Sequence, residues 1–104
     1  MVELNKENFK EFTKEGVVIV DFWAPWCAPC RMLAPILEEL ENDFGEKVKI
    51  GKVNVDENQE LAAAFQIRSI PTIVFIKDGQ VIDGFIGAAP KQVFIKKIEE
   101  ILEK

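Results

Sequence analysis

The sequence contains no histidine and only two cysteines, Cys27 and Cys30. Two cysteines cannot staple a disulfide mini-fold and cannot close a four-cysteine zinc site. Without histidine or a further cysteine, zinc has no remaining ligands of the usual kind. Positive charge is in deficit too. Thirteen Lys and Arg face 18 Asp and Glu, a net charge of −5. An acidic chain with no basic block argues against nucleic acid as the main partner. Long apolar runs are also missing. Val17–Val20 stops at Asp21 and Ile73–Ile76 stops at Lys77, whereas a membrane span needs about 18 residues. Met1–Lys6 shows no basic segment leading into an apolar one, so no signal peptide is expected. The expected compartment is the cytoplasm. Thiols stay reduced there, and a cysteine pair is more often catalytic or metal-binding than structural.

The composition is globular. Of 104 residues, 48% are hydrophobic and 30% charged, too apolar for disorder. That length fits one domain, residues 1–104, and no repeat, low-complexity stretch or linker divides it.

Strand and helix patterns alternate along the chain. Val2–Leu4 reads as a short strand. Asn5 is placed to cap a helix running to about Lys14, with Phe9 and Phe12 on one side and Gly16 ending it. Val17–Trp23 is apolar and β-branched apart from Asp21, the pattern of a strand covered on both faces. From Ala28 to Phe44, Leu33, Ile36, Leu37, Leu40 and Phe44 recur at helical spacing. Pro35 should kink that helix and Gly45 close it. Val48–Val55 is the next strand and Glu57–Phe65 a short helix. Thr72–Ile76 and Gln80–Ile86 flank Asp78-Gly79, a hairpin signal. Pro90 suits the first turn of a last helix through Leu102. Phe94, Ile98 and Ile101 form its inner stripe, and Lys96 and Lys104 could pair with Glu100 on its outer face. The expected fold class is α/β: a mixed sheet of about five strands flanked by about four helices. Strands separated by helices should pair in parallel, and the hairpin should add an antiparallel edge.

The informative segment is Asp21-Phe22-Trp23-Ala24-Pro25-Trp26-Cys27-Ala28-Pro29-Cys30-Arg31. It lies where the buried strand ends and the long helix begins. With Cys27 as cap, Cys30 falls one turn below it. Spacing of i, i+3 puts both sulfurs on one side of the first turn, within reach of a disulfide. Pro29 is tolerated because first-turn N–H groups lack intrahelical acceptors. Those free N–H groups and the positive end of the helix dipole favour an anion, so the Cys27 thiolate should be stabilised. Cys27 is then the nucleophile that attacks a substrate disulfide, and Cys30 resolves the mixed disulfide. Three plainer readings compete: half of a zinc site, an inert structural disulfide, and coincidence. The strand–CxxC–helix placement is what favours redox chemistry over them.

Trp26-Cys27-Ala28-Pro29-Cys30-Arg31 resembles the Trp-Cys-Gly-Pro-Cys-Lys site of the thioredoxin family. The resemblance spans the chain. Val20-Asp21-Phe22-Trp23-Ala24 resembles the strand leading into the site, and Met32-Leu33-Ala34-Pro35-Ile36-Leu37 the kinked helix behind it. Lys52-Val53-Asn54-Val55-Asp56 is similar to the following strand, Ile70-Pro71-Thr72 to a cis-proline loop, and Gly87-Ala88 to a second substrate loop. The chain departs from that pattern at Ala28, where the family has Gly, and at Arg31, where it has Lys. Pro25 adds rigidity ahead of Trp26.

Much follows from the resemblance as expectation. The fold should be the thioredoxin fold and the activity general protein-disulfide reduction and electron transport. Asp21 should accept the proton of Cys30, with Lys52 as its partner; an acid buried there has its pKa raised by desolvation. Ile70–Pro71 should be cis, leaving the Ile70 backbone to pair with an extended substrate. Substrate contact is expected from Trp26, Ala28, Pro29, Ile70, Pro71, Gly87 and Ala88. Trp23 reads as packing beside Asp21. No cofactor or metal is expected beyond the redox-active Cys27–Cys30 disulfide. Partners should be protein disulfides and a thioredoxin reductase, drawing on NADPH or another donor, with no nucleic acid or membrane. A monomer is the simplest state. With no His before the second cysteine, a reductant is favoured over an oxidase. The alternatives are a specialised redox carrier or oxidase for one partner, and a non-catalytic binding subunit using the same face.

Overall fold

Strand β2, Val17–Trp23, is the middle of the molecule because its residues are apolar on both sides. All of it is buried except Trp23, which is half-buried. Its period of two divides the interior. Val17 and Ile19 join a cluster with Leu33, Leu37, Leu40, Phe75, Phe94 and Ile98. Val18, Val20 and Phe22 join a second cluster with Leu4, Val53, Val74 and Ile76 on the other face. Each fully buried Phe or Leu contributes about 1.5–3 kcal/mol.

The computed structural model describes residues 1–104. Its elements are β1 (Val2–Glu3), α1 (Phe9–Thr13), β2, α2 (Ala28–Phe44), β3 (Val48–Asn54), α3 (Gln59–Ala64), β4 (Thr72–Lys77), β5 (Gln80–Ile86) and α4 (Lys91–Leu102). The sheet has five strands in the order β1-β3-β2-β4-β5. Helices α2 and α4 supply the first cluster, while Phe9, Phe12, Leu61 and Phe65 from the segments of α1 and α3 pack on the second. The mixed sheet with four helices is the architecture the sequence pattern implies.

Three expectations change. The first helix begins at Phe9, not after Asn5. Asn5 Oδ1 does accept the N–H groups of Glu7 and Asn8, at 2.9 and 3.0 Å, the bonds of a helix cap. Phe9 N–H donates to Asn5 O at 3.0 Å, so one capped turn precedes the regular helix. Second, β4 runs antiparallel to β2 although α3 precedes it. The reason is length. Six helical residues rise about 9 Å against about 23 Å for the seven-residue β3, so α3 alone does not return the chain to where β3 began. The chain enters β4 at the end where β3 left off, and Thr72 pairs with Phe22. Third, Lys96 and Glu100 form no ion pair. The α4 lysines reach other elements instead: Lys91 binds Glu39 and Asp43 on α2, and Lys97 binds Asp83 on β5.

Helix α2 runs unbroken through Pro35, which lies on its exposed side. It ends at Gly45, whose φ of +55° few other residues adopt. The α1–β2 loop is tied to the β4–β5 hairpin by a reciprocal pair. Gly16 N–H donates to Asp78 Oδ1 at 2.8 Å, and Asp78 N–H donates to Gly16 O at 2.9 Å. No helix is long and apolar enough to cross a membrane.

Candidate active site

Cys27 occupies the cap of α2 with extended backbone, φ −88° and ψ 107°. Cys30 lies on the first turn, its N–H donating to Cys27 Sγ at 3.2 Å. The two cysteines are joined by a disulfide, with Cα atoms 5.3 Å apart. Both are buried, and with Ala24 they form a small cluster against which Trp23, Val55 and Ile70 pack. Between them Ala28 and Pro29 are exposed.

Period two along β2 puts Asp21 on the face that α2 covers, two residues beyond Ile19. It is 2% exposed. Its Oδ1 has no hydrogen-bond partner. Burial pushes its carboxyl up to about 7, while the Lys52 ammonium pulls the other way. Lys52 is its register partner on β3, yet no ion pair joins them. The Lys52 Nζ lies 4.9 Å from the centre of the Trp23 ring, a cation–π contact. The expected partnership is therefore one of field, not of contact.

The remaining expected residues fall into three places. Ile70–Pro71 is cis, with Pro71 buried and Ile70 half-buried. The Ile70 N–H and C=O take part in no hydrogen bond within the protein. Gly87 N–H donates to Pro71 O at 2.8 Å, which ties the Gly87-Ala88 loop to the Ile70-Pro71 loop. Ala88 is exposed. Trp26 is 67% exposed and its Nε1 donates to Asp56 Oδ2 at 2.9 Å. Trp23 is half-buried beside the cysteines, and its Nε1 is buried without a protein acceptor.

Two contributors escaped the sequence reading. Asp56 holds the Trp26 indole across 30 positions, and Val55 packs on the cysteine cluster. The one local signal is at Asn54, whose Oδ1 accepts the Asp56 N–H at 3.0 Å and sets that loop. The larger cavity, about 500 Å³, lies between the β1–α1 and β3–α3 loops and contains neither cysteine. The smaller cavity is not lined by a cysteine either, so the buried pair does not sit in a small-molecule pocket. No three His, Cys, Asp or Glu side chains gather to hold a metal ion.

A disulfide-forming Cys-x-x-Cys pair at the start of a helix, packed beside a cis-proline loop, on a sheet that carries a buried carboxyl, defines a dithiol–disulfide oxidoreductase. The family model described as Thioredoxin matches residues 1–100. The chain is 46% identical to the thioredoxin of Bacillus subtilis (strain 168), covering 100% of this chain and 96% of the relative. It is 45% identical to the thioredoxin of Listeria monocytogenes serovar 1/2a, covering 98% and 95%. It is 47% identical to Thioredoxin 2 of Chlorobaculum tepidum, covering 94% and 92%. The chain belongs to the thioredoxin family. It is a protein-disulfide reductase that works by thiol–disulfide exchange, and its redox centre is the cysteine pair.

Proposed function

We propose that Cys27 is the attacking thiolate and Cys30 the resolving thiol of a general protein-disulfide reductase. The observation that carries this assignment is the cap geometry: Cys27 Sγ faces the Cys30 N–H at 3.2 Å, at the start of a 17-residue helix. In the reduced protein that N–H becomes a charge-assisted donor to a thiolate, and the helix dipole adds to it. The thiolate attacks one sulfur of a substrate disulfide and expels the other as a thiolate, which takes a proton. Cys30 then attacks Cys27 Sγ, its proton passing to Asp21, and the second substrate thiolate leaves. Two electrons have moved, and the protein is left as the Cys27–Cys30 disulfide.

Asp21 serves as base because burial places its carboxyl at about 7, near neutrality. Lys52 tunes it through space. Trp26, Ala28, Pro29, Ile70, Pro71, Gly87 and Ala88 form the substrate face. The unpaired Ile70 backbone favours an extended substrate segment bonded there as an added strand. Residues 1–104 act as one domain and as a monomer, with no bound cofactor, in the cytoplasm. A thioredoxin reductase returns the protein to its dithiol form.

The test is reduction of insulin disulfides by dithiothreitol with the native chain, Cys27→Ser and Cys30→Ser. Acceleration by the native chain alone, with Cys30→Ser accumulating a mixed disulfide through Cys27, is the expected result. Activity retained by Cys27→Ser would overturn the assignment. A folded native chain that does not accelerate the reaction would point to a specialised carrier or a binding subunit.

A further inference from the structure

Ala24–Cys27 forms a four-residue turn, closed by Cys27 N–H donating to Ala24 O at 3.1 Å. Pro25 fills its second position, where the ring presets φ. Trp26 at the third position does not have positive φ, so the turn is not type II, which its Cβ would resist. One freedom remains. Proline is also at home in the extended region. Rotating the Pro25 ψ there swings its carbonyl and opens the turn that delivers Cys27 to the helix cap. Both Pro25 and Trp26 are exposed, so packing does little to prevent this.

Arg31 opposes that rotation. Its Nη1 donates to Pro25 O at 2.9 Å, while its own N–H donates to Cys27 O at 3.1 Å. One residue therefore grips the peptide ahead of Cys27 with its side chain and the Cys27 carbonyl with its backbone. The Trp26 indole is held separately by Asp56. Resting on the assignment of Cys27 as nucleophile, we propose that Arg31 is a positioning residue. Its guanidinium fixes the Pro25–Trp26 peptide and so sets the direction from which a substrate disulfide meets Cys27. A guanidinium can also act as a plain charge near a thiolate. Salt separates the two roles, because screening shortens to roughly 3 Å at 1 M while a direct hydrogen bond persists.

The experiment compares native protein with Arg31→Met and Arg31→Lys. Three quantities are read: ¹⁵N relaxation dispersion at the Trp26 and Cys27 amides, the second-order rate of insulin reduction, and that rate at low and high salt. Arg31 is exposed, so both variants should fold. In Arg31→Met the two amides gain microsecond-to-millisecond exchange absent from the native chain, and the rate falls by about tenfold from misorientation. The defect persists at high salt, and Arg31→Lys, which keeps a donor, recovers part of it. Flat dispersion in Arg31→Met would overturn the proposal, as would a defect that vanishes at high salt. Loss of the Cys27 assignment would show instead as activity in Cys27→Ser, and would leave the dispersion result standing.

Discussion

Asp21 and Lys52 stand opposite each other on β2 and β3 without forming an ion pair. The ammonium sits over the Trp23 ring, and Asp21 Oδ1 is left unpartnered. Attraction from Lys52 is therefore too weak to offset burial, and the carboxyl titrates at about 7.

That shift has a sign for stability. A carboxyl raised in the native state binds its proton more tightly folded than unfolded. Native stability then falls as pH rises from about 4 to about 7, and the deficit is complete above that range. In the oxidised protein, Asp21→Asn should raise unfolding free energy at pH 9 by a few kcal/mol, at most about 4. At pH 4 it should change little. Urea unfolding at both pH values measures this, and equal gains at the two would contradict it.

The same variant separates the two chemical steps. In the proposed mechanism Asp21 takes the proton of Cys30 and has no part in the attack by Cys27. Asp21→Asn should slow release of the mixed disulfide by about 10² and its formation far less. Rapid quench with a disulfide peptide resolves the steps, and equal slowing of both would remove the base from the mechanism.

Gly51 lies where β3 passes beneath the β1–α1 segment. A Cβ there would sit 2.6 Å from Leu4 Cδ1 and 3.0 Å from Phe12 Cε2. Gly51→Ala should destabilise by about 1–3 kcal/mol through overpacking. A lower denaturant midpoint with unchanged slope would show it. No shift would mean that Leu4 moves aside freely.

Gln66 ends α3 with φ of +56°. Its N–H donates to Ala63 O, and the Ile67 N–H to Ala62 O, the helix-ending pattern that glycine favours. Gln66→Gly relieves the Cβ crowding of the left-handed region, and the gain exceeds the added freedom of the unfolded chain. Stability should rise by about 0.5–1 kcal/mol, seen as a melting point higher by several degrees.

The elements whose bounds were legible carry strong local signals. Strand β2 is a β-branched run, α2 a 3.6-period run closed by Gly45, and β5 follows Asp78-Gly79. The ends of α1 and α3 were not legible. At α1 the Asn5 side chain caps a turn over residues 6–8, yet the regular helix starts only at Phe9. Cys27 and Cys30 stood out because a cap and a first-turn residue are neighbours by spacing alone.

The sequence by itself determined the alternation of elements, the cysteine pair at a helix start and the family. These depend on short-range periodicity and on residue types in order. Only the tertiary structure decided the antiparallel entry of β4, the exposed Trp26 held by Asp56, the Arg31 grip on Pro25 and the separation of Lys52 from Asp21. Each of these depends on which side chain a neighbouring segment presents after folding. That choice is set by packing and burial across the sheet, and no local pattern encodes it.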